Sequence, residues 1–159
     1  MHPHAQLLTD FYSAFQRGDG AAMAACYHPE ATFSDPAFPG LDHAHVTSMW
    51  RMFCERGGVK IDFSDIHADD RSGRAHWDAR YTFSGTGRPV LNRIDATFEF
   101  KDGKILRHTD RFDFWTWSRQ ALGAPGMLLG WSPFLRNKVQ TQARATLEKW
   151  MEKQGVQKA

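Results

Sequence analysis

Between Val59 and Trp115 the chain alternates apolar and polar residues in four successive runs, and this pattern limits the possible folds more than any other feature. Val59, Ile61 and Phe63 alternate with Lys60, Asp62 and Ser64. Ala75, Trp77, Ala79, Tyr81 and Phe83 alternate with His76, Asp78, Arg80 and Thr82. Leu91 to Phe100 carries Ile94, Ala96, Phe98 and Phe100 on one side, and Ile105 to Trp115 forms a last run. Period-two alternation predicts strands with one buried face. Gly85-Thr86-Gly87-Arg88-Pro89 reads as a turn, and Asp102-Gly103 is a hairpin signal.

The first third has a different period. Leu7, Leu8, Phe11, Ala14 and Phe15 recur at helical spacing, and Gly18-Asp19-Gly20 ends that helix. A short helix over Ala21–Tyr27 is predicted to stop at His28-Pro29. A short strand follows over Ala31–Asp35. A third helix opens at Leu41-Asp42, with Asp42 as N-cap and Val46, Met49, Trp50 and Phe53 as its apolar stripe, and Gly57-Gly58 closes it. Helices followed by consecutive strands predict an α+β fold, with the helices on one face of an antiparallel sheet. Glycines and prolines break up Ala121–Trp131, and Pro133 starts a final helix. Val139, Ala143, Leu147 and Trp150 form its stripe, and Lys149, Lys153 and Lys158 favour its negative end.

Composition excludes several classes of function. A chain of 159 residues suits a single domain over 1–159. A net charge of +2 from 20 basic and 18 acidic residues argues against a nucleic-acid partner. No apolar run approaches the ~20 residues that span a bilayer, so no membrane partner is expected. Met1-His2-Pro3-His4 does not resemble a signal peptide, and the isolated Cys26 and Cys54 read as reduced thiols, so a cytoplasmic location is expected. His2 and His4 fall at a mobile terminus, His28 and His67 in loops, and His43 and His45 point apart on a helix, so no metal site is expected. The unusual number is the aromatic content, with 12 Phe, 6 Trp and 3 Tyr.

An ordered set of motifs accompanies this pattern: Phe11-Tyr12-Ser13-Ala14-Phe15, Arg17-Gly18-Asp19, Tyr27 through Pro36, Asp102-Gly103-Lys104-Ile105, and Arg111-Phe112-Asp113. In these motifs the chain resembles the nuclear transport factor 2-like superfamily, which includes ketosteroid isomerases and SnoaL-like proteins. The resemblance implies a cone, a strongly curved sheet wrapped around the N-terminal helices (a cystatin-like roll) with a pocket at one end. The core would span about residues 5–118 and an added helical extension about 119–155. It also implies a homodimer through the sheet, a small hydrophobic ligand and no cofactor.

Four polar residues fall on the presumed inner faces. Asp35 lies two residues after Phe33, so both face one way. It is either a base with raised proton affinity or a turn residue capping local amides. In the resemblance, the Asp of the matching Asp35-Pro36 pair abstracts a proton from carbon, as in a well-studied isomerase. The isomerase oxyanion donors do not carry over. Phe11 stands where that family has a Tyr, Tyr12 is rotated away to a core edge or interface, and Ala96 stands where it has an Asp. Ketosteroid isomerase activity is therefore not expected.

His108 and Asp110 share a face with Leu106 and Phe112, and are either a proton shuttle or a buried pair fixing strand ends. In SnoaL-like cyclases a pocket Asp on a late strand does the acid/base work, and Asp110 resembles it in placement. Asn92 is an inward amide, able to orient a ligand or to satisfy backbone. Phe15, Phe33, Trp50, Phe53, Trp77, Tyr81 and Phe112 are the candidate pocket wall, with ordinary core as the alternative. Asp35, His108 and Asp110 are thus the candidate catalytic set, for an isomerase, cyclase or lyase acting on a steroid- or polyketide-like molecule. The competing reading is a non-catalytic binding or dimeric interaction domain. Met127-Leu128-Leu129-Gly130-Trp131 is expected over the cone mouth or across the dimer.

Overall fold

The computed structural model describes residues 1–156, so Lys158 lies outside the described residues. The elements run α1 (Pro3–Gln16), α2 (Gly20–Ala24), β1 (Tyr27–Ser34), α3 (His43–Arg56), β2 (Lys60–Ala68), β3 (Ser72–Phe83), β4 (Arg88–Lys101) and β5 (Lys104–Arg111). Three helices follow: α4 (Phe114–Leu122), α5 (Ala124–Leu129) and α6 (Pro133–Gln154). The fold is α+β, with a curved five-stranded sheet in the order β1-β5-β4-β3-β2 around α1 and α3. β2 through β5 are antiparallel, as the alternation requires, while β1 joins the edge parallel to β5.

The inner face of the sheet carries Ala75, Trp77 and Ala79 of β3 and Ile94, Ala96 and Phe98 of β4. Leu8, Phe11, Tyr12 and Phe15 of α1 pack onto it, with Val46, Met49 and Trp50 of α3. Full burial of a side chain of this size contributes about 1.5–3 kcal/mol. Asp42 caps α3 by accepting from the His45 amide, and Gly57 closes it at a positive φ of 67°.

Several boundaries differ from the sequence reading. The short helix ends at Ala24, and Tyr27, His28 and Pro29 belong to β1. A proline is tolerated there because β1 is an edge strand. The last strand stops at Arg111 rather than Trp115, because the Asp113 side chain accepts from the Trp115 and Thr116 amides and starts α4. The register shifts between the Glu99–Arg107 and Phe100–Ile105 pairs, so buried Ile105 takes the inner position assigned to Leu106, which is half-buried. His28 and His67 lie in strands rather than loops. His2 and His4 are anchored: His2 pairs with Asp70 at 2.8 Å, and the His4 ring stacks on Phe100 at 4.1 Å.

The segment after β5 folds back over the cone. Val90, Phe114, Trp117 and Ala121 form a second apolar cluster, bridged to the main core by Tyr81 and Phe112. Trp117 Nε1 donates to Tyr81 Oη at 2.7 Å. The Gln120 side chain clasps both backbone groups of Leu91, accepting at 2.9 Å and donating at 3.1 Å. α6 packs on α3, where His45 links Asp42 (2.6 Å) to Glu148 (3.2 Å). Gln140 of α6 donates to the Pro36 carbonyl at 2.9 Å, tying this helix to the loop that carries Asp35. The cover is therefore built by α4 and α6. Met127, Leu128, Leu129 and Trp131, expected over the cone mouth or across the dimer, are exposed and do not cover the mouth, because Gly126 and Gly130 form the inner side of this segment and approach Ser118 too closely for any side chain.

Candidate active site

His108 sits at the centre of the cone with no exposed surface. Phe33, Phe98, Phe11 and Trp50 surround its ring, at centroid distances of 4.9, 4.3, 5.9 and 6.3 Å. Both ring nitrogens are paired, Nδ1 with Tyr27 Oη and Nε2 with Asp110 Oδ1, each at 2.8 Å. Trp50 Nε1 donates to the same Tyr27 oxygen at 2.8 Å. An indole N–H can only donate. The arrangement that leaves no donor unpaired therefore runs in one direction: Trp50 donates to Tyr27, Tyr27 to His108 Nδ1, and His108 Nε2–H to Asp110. The relay assigns the tautomer of His108 and holds one Asp110 oxygen in place. Burial pushes the Tyr27 phenol well above its ordinary pKa; the Trp50 donor opposes this and the charge of Asp110 adds to it.

Asp35 lies just beyond the end of β1 and is half-buried. Its Oδ1 accepts from the Ala37 and Phe38 amides at 2.7 and 2.6 Å, the local turn geometry that an Asp before Pro favours. Oδ2 makes no hydrogen bond among the described residues. Loss of hydration, followed by repulsion from Asp110, pushes the Asp35 carboxyl up to about 7, against the two amides that pull it down. Asp35 and Asp110 thus feel one another across the β1–β5 seam, where the register pairs Phe33 with His108 and Ser34 with Thr109, although they are far apart in sequence.

Two donors complete the polar inventory. Tyr12 Oη and Trp77 Nε1 are buried and have no hydrogen-bond partner among the described residues. Their rings lie 6.0 Å apart, and Tyr12 also stacks on Phe63 at 5.5 Å. Burial raises the Tyr12 pKa well above its usual value, and Asp110 raises it further. A buried donor left unmatched costs about 1–3 kcal/mol. The Asn92 side chain, on the same inner face and buried, also makes no hydrogen bond to the described residues.

The structure brings His108 and Asp110 together and places Asp35 within reach of Asp110's field. Phe15, Phe33, Trp50 and Trp77 are buried around them, while Phe53, Tyr81 and Phe112 are half-buried at the rim. A solvent-open groove of about 350 Å³ lies on the outer side of the Asp35 loop, lined by Phe38, Pro39, Leu41, Gln140, Thr141 and Arg144. Asp35 is not among its lining residues. Sequence reasoning missed Tyr27, because Pro29 resembled a helix stop. The available signal was the alternation at Ala31 and Phe33 just beyond that proline; around Pro29 itself the register shifts, and Tyr27 and His28 are both buried. It also placed Tyr12 at an edge, whereas Tyr12 is fully buried, because the curved sheet covers both the Phe11 and the Tyr12 sides of α1.

A family model described as the SnoaL-like domain matches residues 8–108, more than half of the chain. The protein belongs to the SnoaL-like family. Solved structures share the fold of this SnoaL-like protein, among them one described as nuclear transport factor 2-like. It is similar to a candidate polyketide cyclase from Xanthomonas campestris, at 22% identity and a TM-score of 0.62, covering 74% of this chain and 96% of that one. It is also similar to an LEH-like epoxide hydrolase from M. tuberculosis, at 18% identity and a TM-score of 0.61, covering 79% and 92%. A nuclear transport factor 2-like protein of unknown function from Burkholderia pseudomallei matches at 16% identity and a TM-score of 0.65, covering 77% and 99%. Comparison with curated proteins returned no match. At these identities the likeness establishes the fold of the SnoaL-like protein, and its chemistry has to be argued from its own residues.

Proposed function

We propose that this protein is a cofactor-free acid/base catalyst acting on a small apolar molecule that carries a carbonyl or similar acceptor. The observation that carries this reading is Asp35, held by two amides through Oδ1 with Oδ2 unengaged, and raised to about 7 beside an aromatic interior. A base of that strength is poised for proton transfer near neutrality. In this reading Asp35 removes a proton from carbon next to the acceptor. Tyr12 Oη and Trp77 Nε1, without partners among the described residues, donate to the oxygen that gains charge once the packed interior opens to admit the substrate. Burial, with the charge of Asp110 adding to it, keeps the affinity of Asp35 for the proton high enough to return it at another carbon. That sequence is an isomerisation; a cyclisation or elimination uses the same first step. The cyclase and hydrolase neighbours support small-molecule chemistry on this fold without choosing among these reactions. The outer sheet face carries mixed charges, including an Arg107–Glu99 pair at 3.0 Å, and we include in the proposal a homodimer through that face.

The test begins with native mass spectrometry of the protein purified from its own host, which reports a bound ligand and the oligomeric state together. Cyclic 1,3-diketones and β,γ-unsaturated cyclic ketones are then incubated in D₂O, and C–H washout is followed by NMR. Exchange catalysed by the wild type and slowed about 100-fold or more in Asp35→Asn supports the proposal. A ligand that binds both forms equally, with no exchange in either, replaces it with a binding domain. The Asx-turn role of Asp35 Oδ1 already suits that second reading.

A further inference from the structure

Six large apolar residues of the C-terminal segment are exposed: Trp115, Met127, Leu128, Leu129, Trp131 and Phe134, at 38–75%. They form one surface. Trp115 Nε1 donates to the Met127 carbonyl at 3.0 Å, and Trp131 Nε1 to the Leu128 carbonyl at 2.8 Å. Each indole has therefore spent its only donor within the chain, so both rings can leave water without losing a hydrogen bond. Ser132 caps α6 immediately after Trp131, which brings Phe134 into the first turn beside the same surface.

The charges around this surface are mostly positive, with Asp113 at the α4 cap and Glu148 beside Arg144 as the acids that border it. From Phe114 to Leu147 there are four of the chain's 20 basic residues, Arg119, Arg136, Lys138 and Arg144, and none of its 18 acidic ones, so the remainder of the chain carries a net charge of −2. Arg119 lies over the Trp115 ring at 4.9 Å, which holds its guanidinium at the rim of the apolar surface, and the exposed Arg136 lies over the buried Phe114 ring at 5.2 Å. Among the described residues Arg119, Arg136 and Lys138 make no ion pair; Arg144 pairs with Glu148 at 3.4 Å.

We propose that this surface docks on an anionic lipid bilayer, with Leu128, Trp131 and Phe134 entering the headgroup region and Arg119, Arg136 and Lys138 meeting its phosphates. Apolar side chains bordered by cations are what such an interface binds, and tryptophan suits its depth. A second copy of the chain fits less well, because a two-fold contact would set these unpaired cations against their own copies. Side chains this far out of the surface also suit a fluid medium better than a preformed protein pocket. No helix among the described residues is long and apolar enough to cross a membrane, so the association is confined to one leaflet's surface. The expectation of no membrane partner rested on spanning length, which does not bear on an interfacial segment. This inference stands independently of the acid/base reading.

The experiment is vesicle flotation of the full chain, with phosphatidylcholine alone and with phosphatidylcholine–phosphatidylglycerol, alongside sedimentation equilibrium. Binding to the mixed vesicles only, weakened by salt, is expected. Arg136→Gln/Lys138→Gln is expected to lower the partition coefficient about 30-fold, at roughly fivefold per cation. Leu128→Ser/Trp131→Ser is expected to abolish binding with an unchanged thermal melt, since both residues are exposed. Three results would overturn the proposal: no flotation, equal flotation with uncharged vesicles, or self-association that Leu128→Ser/Trp131→Ser removes in the absence of any vesicle binding.

Discussion

Replacing Asp35 with Asn keeps a carbonyl oxygen for the Ala37 and Phe38 amides and removes only the titration. Raising a carboxyl from 3.8 to about 7 corresponds to about 4 kcal/mol between its two protonation states, and partial exposure of Asp35 reduces this to about 2 kcal/mol. The sign follows from which state holds the proton. Below pH 3.8 both folded and unfolded chains are protonated at Asp35, and the group is neutral for stability. Between 3.8 and about 7 the unfolded chain releases the proton while the folded chain keeps it, so stability falls as pH rises. Above about 7 both are ionised and the full penalty is present. Other carboxylates contribute their own pH dependence, so the quantity to measure is the difference between wild type and Asp35→Asn. Urea unfolding at a series of pH values should give equal stabilities near pH 4, with the variant ahead by about 2 kcal/mol at pH 8. A difference that stays flat with pH would mean that Asp35 titrates normally, and the proposed base would lose its physical basis.

The two unmatched donors make a test of opposite sign. Tyr12→Phe removes a buried hydroxyl with no protein partner, so it should leave the ligand-free protein as stable or up to about 1 kcal/mol more stable while weakening ligand binding, read by thermal shift with and without ligand. Tyr27→Phe should destabilise by about 2–4 kcal/mol in urea, because it strands both Trp50 Nε1–H and His108 Nδ1. Gly126→Ala should cost about 1–3 kcal/mol by forcing α5 off the Ser118 carbonyl, and hydrogen exchange should rise first in residues 124–131.

Most of the architecture could be read from the order of periods along the chain, because a half-buried strand has to alternate and an amphipathic helix has to repeat near 3.6. The inward placement of His108, Asp110 and Asn92 followed from the same arithmetic. What could not be read was set by distant partners. Tyr27 is held in β1 by Trp50 and His108, and no local rule outweighs Pro29 in suggesting a stop. Asp113 ends β5 through a cap that resembles one more polar position of the alternation. The electrostatic coupling of Asp35 to Asp110 follows from the parallel seating of β1 beside β5, in the register that pairs Phe33 with His108, which no residue spacing records. The exposure of Leu128 and Trp131 follows from the glycines beside Ser118, a close approach that only coordinates show.

The parallel seating of β1 beside β5 has a consequence for biosynthesis. Tyr27 and His108 are 81 residues apart, and β1 has no strand neighbour other than β5. During translation at about 5–20 residues per second, roughly 4–16 s separate the appearance of the first from that of the second. For that interval Tyr27, Ala31 and Phe33 have no sheet to cover them. The nascent chain therefore exposes an apolar strand before the β5 strand that receives it exists. Slowing the ribosome ahead of codon 108 should lengthen that exposure and increase aggregation, without changing any contact in the finished protein.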